Sequence, residues 1–259
     1  MVVGVKESVL AGINPSKLPL PSDLALTIYA ECKKESPDVN LLASLIDRDA
    51  SILARLYHLS NSVSIRRNSS ISSLSTREVI LTLGTNTVGK YVMVLSMMFK
   101  TPSDNAFPCT AFHRHSFIMG SAAKQIARQY KLSRDDGFLL GMLANIGRLG
   151  LAFGFENSYT DLLTGLPVGV WPTLTAEESK LTVNSMDVSI WIINAVGFSW
   201  MIPYVTDYWN GSPGILHDAR LIADIVIGVT KLEDFPGIID TFNTVHEELG
   251  SDIFDLSAA

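Results

Sequence analysis

Gly137-Phe-Leu-Leu-Gly-Met-Leu-Ala-Asn-Ile-Gly-Arg-Leu-Gly-Leu151 sits in a run from Phe138 to Phe155 whose apolar character is broken near its middle only by Asn145 and Arg148. The pattern is helical, with apolar residues on every side, which marks a helix meant for burial inside a bundle. Its glycines are small enough to let neighbouring helices approach closely. Asn145 and Arg148 speak against a membrane span here. A second apolar run, Ile190 to Val205, is shorter than the roughly 20 residues that a spanning helix needs. Ser133-x-x-Asp136 supplies a start signal, so the sequence predicts one helix over about 134–152.

Outward from this segment the reading stays helical. Ser22 is placed to cap a helix running to about Glu35, and Pro37-Asp38 restarts the chain with Leu41, Leu42, Leu45 and Ile46 on one face. Asp49 caps the next helix, whose inner face carries Ile52, Leu53, Leu56, Leu59 and Ser60. Asn61, tolerant of the left-handed conformation, is expected to stop it. Ser75-x-x-Glu78 is a capping box, Gly84 a C-terminal stop, and another helix is expected over about 87–99. Thr101 to Pro108 is the clearest boundary. Beyond it come helices at about 110–131 and 134–152, a Gly/Pro-containing loop at 154–174, a second capping box at Thr175-x-x-Glu178, and helices near 176–183, 185–196, 202–210, 215–231 and 237–249. No alternation long enough for a sheet and no fixed-period repeat is present. The fold class is all-α.

Composition narrows the function classes. The 259 residues are 47% hydrophobic with a formal charge of −6, enough for a substantial core. Charge is uneven: residues 1–100 carry 11 Lys/Arg against 8 Asp/Glu, and residues 101–259 carry 9 against 18. That balance disfavours nucleic-acid binding, which draws on clustered positive charge. The cluster Arg55, Arg66 and Arg67 lacks a Gly-rich phosphate cradle and reads as a solvated surface. Cys32 and Cys109 lie far apart with no metal-ligand spacing, so neither a disulfide framework nor a zinc site is indicated and a reducing, cytoplasmic setting is expected. The N-terminus has no basic stretch before its apolar residues and does not read as a signal peptide. Neither a Gly-x-Ser-x-Gly elbow, a Walker loop nor a dinucleotide fingerprint appears.

Several short motifs stand in order along the chain: Leu18-Pro19-Leu20-Pro21, then Leu45-Ile-Asp-Arg-Asp49-Ala50 through Leu53-Ala-Arg-Leu56 to Asn61-Ser62, then Ser75-Thr-Arg-Glu78-Val-Ile80 with Leu83-Gly84. Phe112-His-Arg-His115-Ser116, the Gly141–Gly147 segment and Trp200-Met-Ile-Pro203 follow. Together they resemble the HDOD domains, a largely regulatory branch of the HD phosphohydrolase superfamily. The resemblance implies an HD-like multi-helix bundle with an N-terminal helical lobe. It places a leader at 1–15, the HDOD domain at 16–215 (lobes 16–105 and 106–215), and C-terminal helices at 216–259 packed on the HD-like lobe. Leu18, Pro19, Pro21, Asp49, Asn61, Ser62, Gly84, Gly141, Gly147, Trp200 and Pro203 would be structural, with Asn61 a helix terminator and Trp200 a core anchor.

By the same resemblance, His115 and Asp224 fall where an active HD site has its first and last metal ligands, and Ala144-Asn145 replaces the central His-Asp pair. A methyl group binds no metal, and an amide is a poor substitute for a carboxylate holding a hard dication. Histidines that many HDOD chains keep after the Glu-containing helix and after Trp-x-x-Pro are also missing. What is left is a vestigial pocket of His115, Ala144, Asn145, Arg148 and Asp224, with no metal and no cofactor expected. Asp224 is expected to pair with His115 or Arg148, because a buried unpaired carboxylate is costly. His113, two residues from His115 on one helix, points elsewhere. The resemblance implies a non-enzymatic bacterial signalling module that binds a protein partner, with input and output supplied in trans. The alternative is a sensor holding a nucleotide-like small ligand in the old pocket, and the least favoured reading is a metal-dependent phosphohydrolase.

Overall fold

Local capping decides where the first four helices begin. The computed structural model describes residues 18–64, 74–102, 107–167, 169–228 and 242–243. Leu18 and Pro19 are buried. Pro21–Phe99 forms one unit. Its helix α1 (Asp23–Cys32) starts where the Ser22 hydroxyl accepts the Ala25 N–H at 3.2 Å, and it buries Ala25, Ile28 and Cys32. Asp38 accepts from Asn40 N and Leu41 N to open α2 (Val39–Ile46). Of the four apolar residues expected on its inner face, Leu42 and Ile46 are buried and Leu41 is 41% exposed. Asp49 caps α3 (Ala50–Ser64) through Ser51 N and Ile52 N, and Ile52, Leu56, Leu59 and Ser60 are buried.

The stop expected at Asn61 is not there. α3 runs through Asn61 and Ser62 to Ser64. Asparagine keeps its backbone N–H and costs at most about 0.7 kcal/mol in a helix, too little to break a ladder already formed. The Ser75–Glu78 capping box is present at the head of α4 (Thr76–Leu83). Gly84, at φ 83°, ends α4 and turns the chain through 108° into α5 (Thr85–Met98). α5 is buried along most of its length, from Val88 to Met98, and packs against α1 at the centre of this unit.

The described residues from Lys100 onward, with Leu18–Leu20, belong to the second unit. α6 (Cys109–Ile126) runs into a 3₁₀ turn at Ala127–Tyr130, and Ser133 caps α7 (Arg134–Leu143). The single helix expected at 134–152 is two: the chain breaks at Ala144-Asn145 and resumes as α8 (Ile146–Phe155). The expected loop at 154–174 contains α9 (Asn157–Leu163), entered through Glu156 at φ 42°. α10 (Leu174–Leu181) is capped by Thr173, not by Thr175. Thr173 has the extended backbone a cap needs, and Glu178 instead accepts from Asn184. Asn184 and Asp187 form an unforeseen capping box for α11 (Ser185–Ala195). A 3₁₀ turn at Ser199–Met201, α12 (Ile202–Trp209) with Pro203 in its first turn, and α13 (Ile215–Val226) complete the described helices. No strand occurs among the described residues. The 1–15 leader, Arg66, Arg67, part of the Thr101–Pro108 boundary and, apart from residues 242–243, the 237–249 helix lie outside those described residues.

α6 lies along α7 and α13, and α8 lies along α11. Glycine makes both close approaches possible. A Cβ at Gly141 would overlap the Met119 carbonyl of α6, and one at Gly147 would overlap the Ser185 carbonyl of α11 and lie 2.6 Å from Ser189 Oγ. Arg134–Phe155 is long and apolar enough to cross a membrane, but 78% of its apolar window is buried inside the protein.

Candidate functional site

α6 and α13 bring together the outer two residues of the predicted pocket. His115 is 8% exposed and Asp224 9% exposed, with His115 Nε2 3.3 Å from Asp224 Oδ1. The second carboxylate oxygen takes Arg220 Nη1 at 2.6 Å, from one turn earlier on α13. Asp224 thus has the His115 partner that the sequence suggests, but its cation is Arg220 and not Arg148. Both of its oxygens are engaged.

The central pair sits at the α7–α8 break, with Ala144 fully buried and Asn145 1% exposed. Breaking a helix frees carbonyls from the ladder, and buried ones need other donors. Ala144 O is taken by Trp209 Nε1 at 3.2 Å and by Ser189 Oγ at 3.4 Å, and Ser189 Oγ also accepts Gly147 N at 2.9 Å. The Asn145 amide is held at both ends: Tyr208 OH donates to Oδ1 at 3.3 Å, and Nδ2 contacts Met119 Sδ at 3.3 Å. Burial raises the Tyr208 hydroxyl pKa, and the charges of Arg148 and Arg220 oppose that rise.

Arg148 is turned away from Asp224. Its Cζ stands 5.0 Å from the Trp171 ring centroid and 5.1 Å from that of Trp209. Its buried Nε has no hydrogen-bond partner among the described residues, and its charge acts on Glu177. Nearby, fully buried Glu177 accepts Ser185 N at 2.7 Å, Ser185 Oγ at 2.6 Å and Tyr159 OH at 3.3 Å. Burial pushes the Glu177 carboxyl above its usual range, partly countered by those hydrogen bonds. Among the described residues no group of three His, Cys, Asp or Glu converges as metal ligands. A hard dication replacing Arg220 would have only His115 and Asp224 from the predicted set.

The HDOD domain family profile matches residues 18–203. This chain belongs to the HDOD family. Its helical fold is shared with an HDOD domain protein of unknown function from Geobacter sulfurreducens, at TM-score 0.65 and 18% identity over 99% of this chain and 96% of that one. A protein from Shewanella amazonensis SB2B provisionally named a metal-dependent phosphohydrolase gives TM-score 0.65 and 18% identity, over 99% and 94% of the two chains. Another from the same organism, provisionally named a phosphohydrolase, gives 0.63 and 15% over 94% and 90%. No curated protein matches the chain.

In this HDOD chain the family match ends at Pro203, so Tyr208, Trp209, Arg220 and Asp224 lie beyond it. Trp200, inside it, is not the expected core anchor: it is 38% exposed, edge-on to Tyr204 at 6.4 Å, while Met201 fills the buried place in that turn. Sequence reasoning missed Arg220, Tyr208, Trp209, Trp171 and Glu177. Only Arg220 carried a signal, four residues before Asp224 on one helix face. Neither cysteine has the lowered pKa of a reactive thiol, since burial pushes Cys32 up to about 11 and raises Cys109 as well.

Proposed function

We propose that this HDOD protein is a non-enzymatic regulatory module of the cytoplasm that acts by binding a protein partner. One observation carries the reading: the Asn145 amide, the Ala144 carbonyl and the Asp224 carboxylate are all engaged within the protein. Asn145 is held by Tyr208 and Met119, the Ala144 carbonyl by Trp209 and Ser189, and Asp224 by His115 and Arg220. Hydrolysis of a phosphoester in such a site needs an open coordination position and an oriented water, and the commitment of Asp224 to His115 and Arg220 supports a reading without them.

The purified protein is expected to hold no stoichiometric iron, manganese or zinc after metal-rich growth, and to release no phosphate from nucleotides or cyclic dinucleotides. Elemental analysis and a phosphate-release panel check both. One metal per chain lost on His115→Ala, or metal-dependent turnover abolished by it, overturns the proposal. Affinity capture from native lysate, with binding then reconstituted from two purified proteins, supplies the positive half of the test.

A further inference from the structure

We infer that the face of Trp200, Pro203 and Tyr204 is a contact between two copies of this chain. Trp200 is 38% exposed, Pro203 is exposed, and half-buried Tyr204 stands edge-on to Trp200 with ring centroids 6.4 Å apart. Spacings of three and four residues put the proline and the phenol on the same side as the indole. The turn beneath these rings is fixed: Phe198 and Met201 are buried, Met201 N donates to Phe198 O at 2.9 Å, and Ser199 Oγ donates to Asn194 Oδ1 at 2.8 Å. A face already held in place loses little freedom on binding. Interface centres are enriched in Trp and Tyr and depleted in charged residues, which is the composition found here.

Charge selects the occupant. From Val188 to Thr206 the chain carries no Asp, Glu, Lys, Arg or His, although its formal charge is −6. In a two-fold contact each residue near the axis meets the surroundings of its own counterpart, so a charge there would face its like. A segment without charge avoids that repulsion, whereas recognition of a basic or acidic partner would draw on ionic groups that this segment lacks. The face is also self-complementary in shape. Each copy offers a flat indole and a proline ring, so Trp200 of one copy has Pro203 of the other to lie on, and the reverse, as an isologous contact requires.

Self-association goes beyond the protein-partner reading, and a chain that stays monomeric while it captures a partner leaves that reading standing. The test is sedimentation velocity on the full chain, with reductant, from micromolar to millimolar concentration. A monomer–dimer equilibrium is expected, and it should strengthen with added salt, which screens the net negative charge of the two copies. Trp200→Asp sets two carboxylates close to the axis and should weaken the dimer at least about thirtyfold, with the melting temperature of the monomer unchanged because the indole is exposed. Trp200→Phe keeps a ring and should weaken it far less. The Trp200 indole N–H resonance, assigned with Trp200→Phe, should move with protein concentration. A monomer at every concentration overturns the inference, whatever the variants do. A dimer untouched by folded Trp200→Asp, or a Trp200 resonance that ignores concentration and moves only with a different protein, overturns it as well.

Discussion

Asn145→Asp exchanges an amide for a carboxyl of nearly the same shape at a position 1% exposed. The Tyr208 hydroxyl can still donate to Oδ1, but the Nδ2 contact with Met119 becomes an oxygen facing sulfur. Burial raises carboxyl pKa values by up to ~3–5 units at fully buried sites, and the Tyr208 hydrogen bond pulls the value back down. With a net rise of about 2 units, at ~1.4 kcal/mol each, the variant loses about 3 kcal/mol at neutral pH. A folded-state pKa above the unfolded value of about 3.9 means that the native state holds the extra proton. Stability relative to the parent is therefore equal below about pH 4, falls as pH rises to about 6, and is flat above that. Urea unfolding of both proteins across this range measures the difference. A variant as stable as the parent at neutral pH, or one whose deficit shrinks as pH rises, would show a hydrated cavity here and refute the reasoning. The paired change Ala144→His with Asn145→Asp is expected to stay inactive, with no stabilisation by manganese.

Gly147→Ala should cost about 2–4 kcal/mol: helix propensity favours alanine by about 1, but the new methyl meets the Ser185 carbonyl and Ser189, which are fixed in α11. A melting temperature equal to the parent's counts against the close α8–α11 contact. Glu177→Gln turns an amide N–H₂ toward one of the donors of Ser185 or Tyr159, for a loss of about 1–3 kcal/mol. Burial raises the Glu177 pKa, so the parent alone loses stability as pH climbs from the unfolded value of about 4.3. The gap in denaturant unfolding should narrow with rising pH, and a widening gap would reverse the assignment. Trp200→Ala should cost less than about 1 kcal/mol by the same assay, because the indole is on the surface, whereas a core tryptophan loses about 3–5.

Helix starts at Ser22, Asp38, Asp49, Ser75 and Ser133 were legible because a cap is a local device: one side chain and an N–H two or three residues on. The α7–α8 break was not, since apolar periodicity continues through Ala144-Asn145 and the donors that stabilise the break come from Ser189 and Trp209, 45 and 65 residues away. The Thr173 cap was hidden by Thr175, a hydroxyl two residues on that pairs with Glu178 in a motif the backbone does not use. In the candidate site His115, Ala144, Asn145 and Asp224 were placed by motif, and the structure brings His115 to Asp224. Arg148 was assigned to the same pair and stacks on indoles instead. That preference depends on where Trp171 and Trp209 arrive in space, which no spacing along the chain encodes.

Gly141 and Gly147 bracket the altered dyad, one pressed on the Met119 backbone and the other on the Ser185 backbone. The path of the chain between them is thus set by main-chain contacts on either side and owes little to the side chains at 144 and 145. Chemistry and architecture are uncoupled at this point: the two residues that would define an enzyme can be exchanged while the helices keep their places. A scaffold anchored in this way can change the residues at its centre and still present the same surfaces to other molecules.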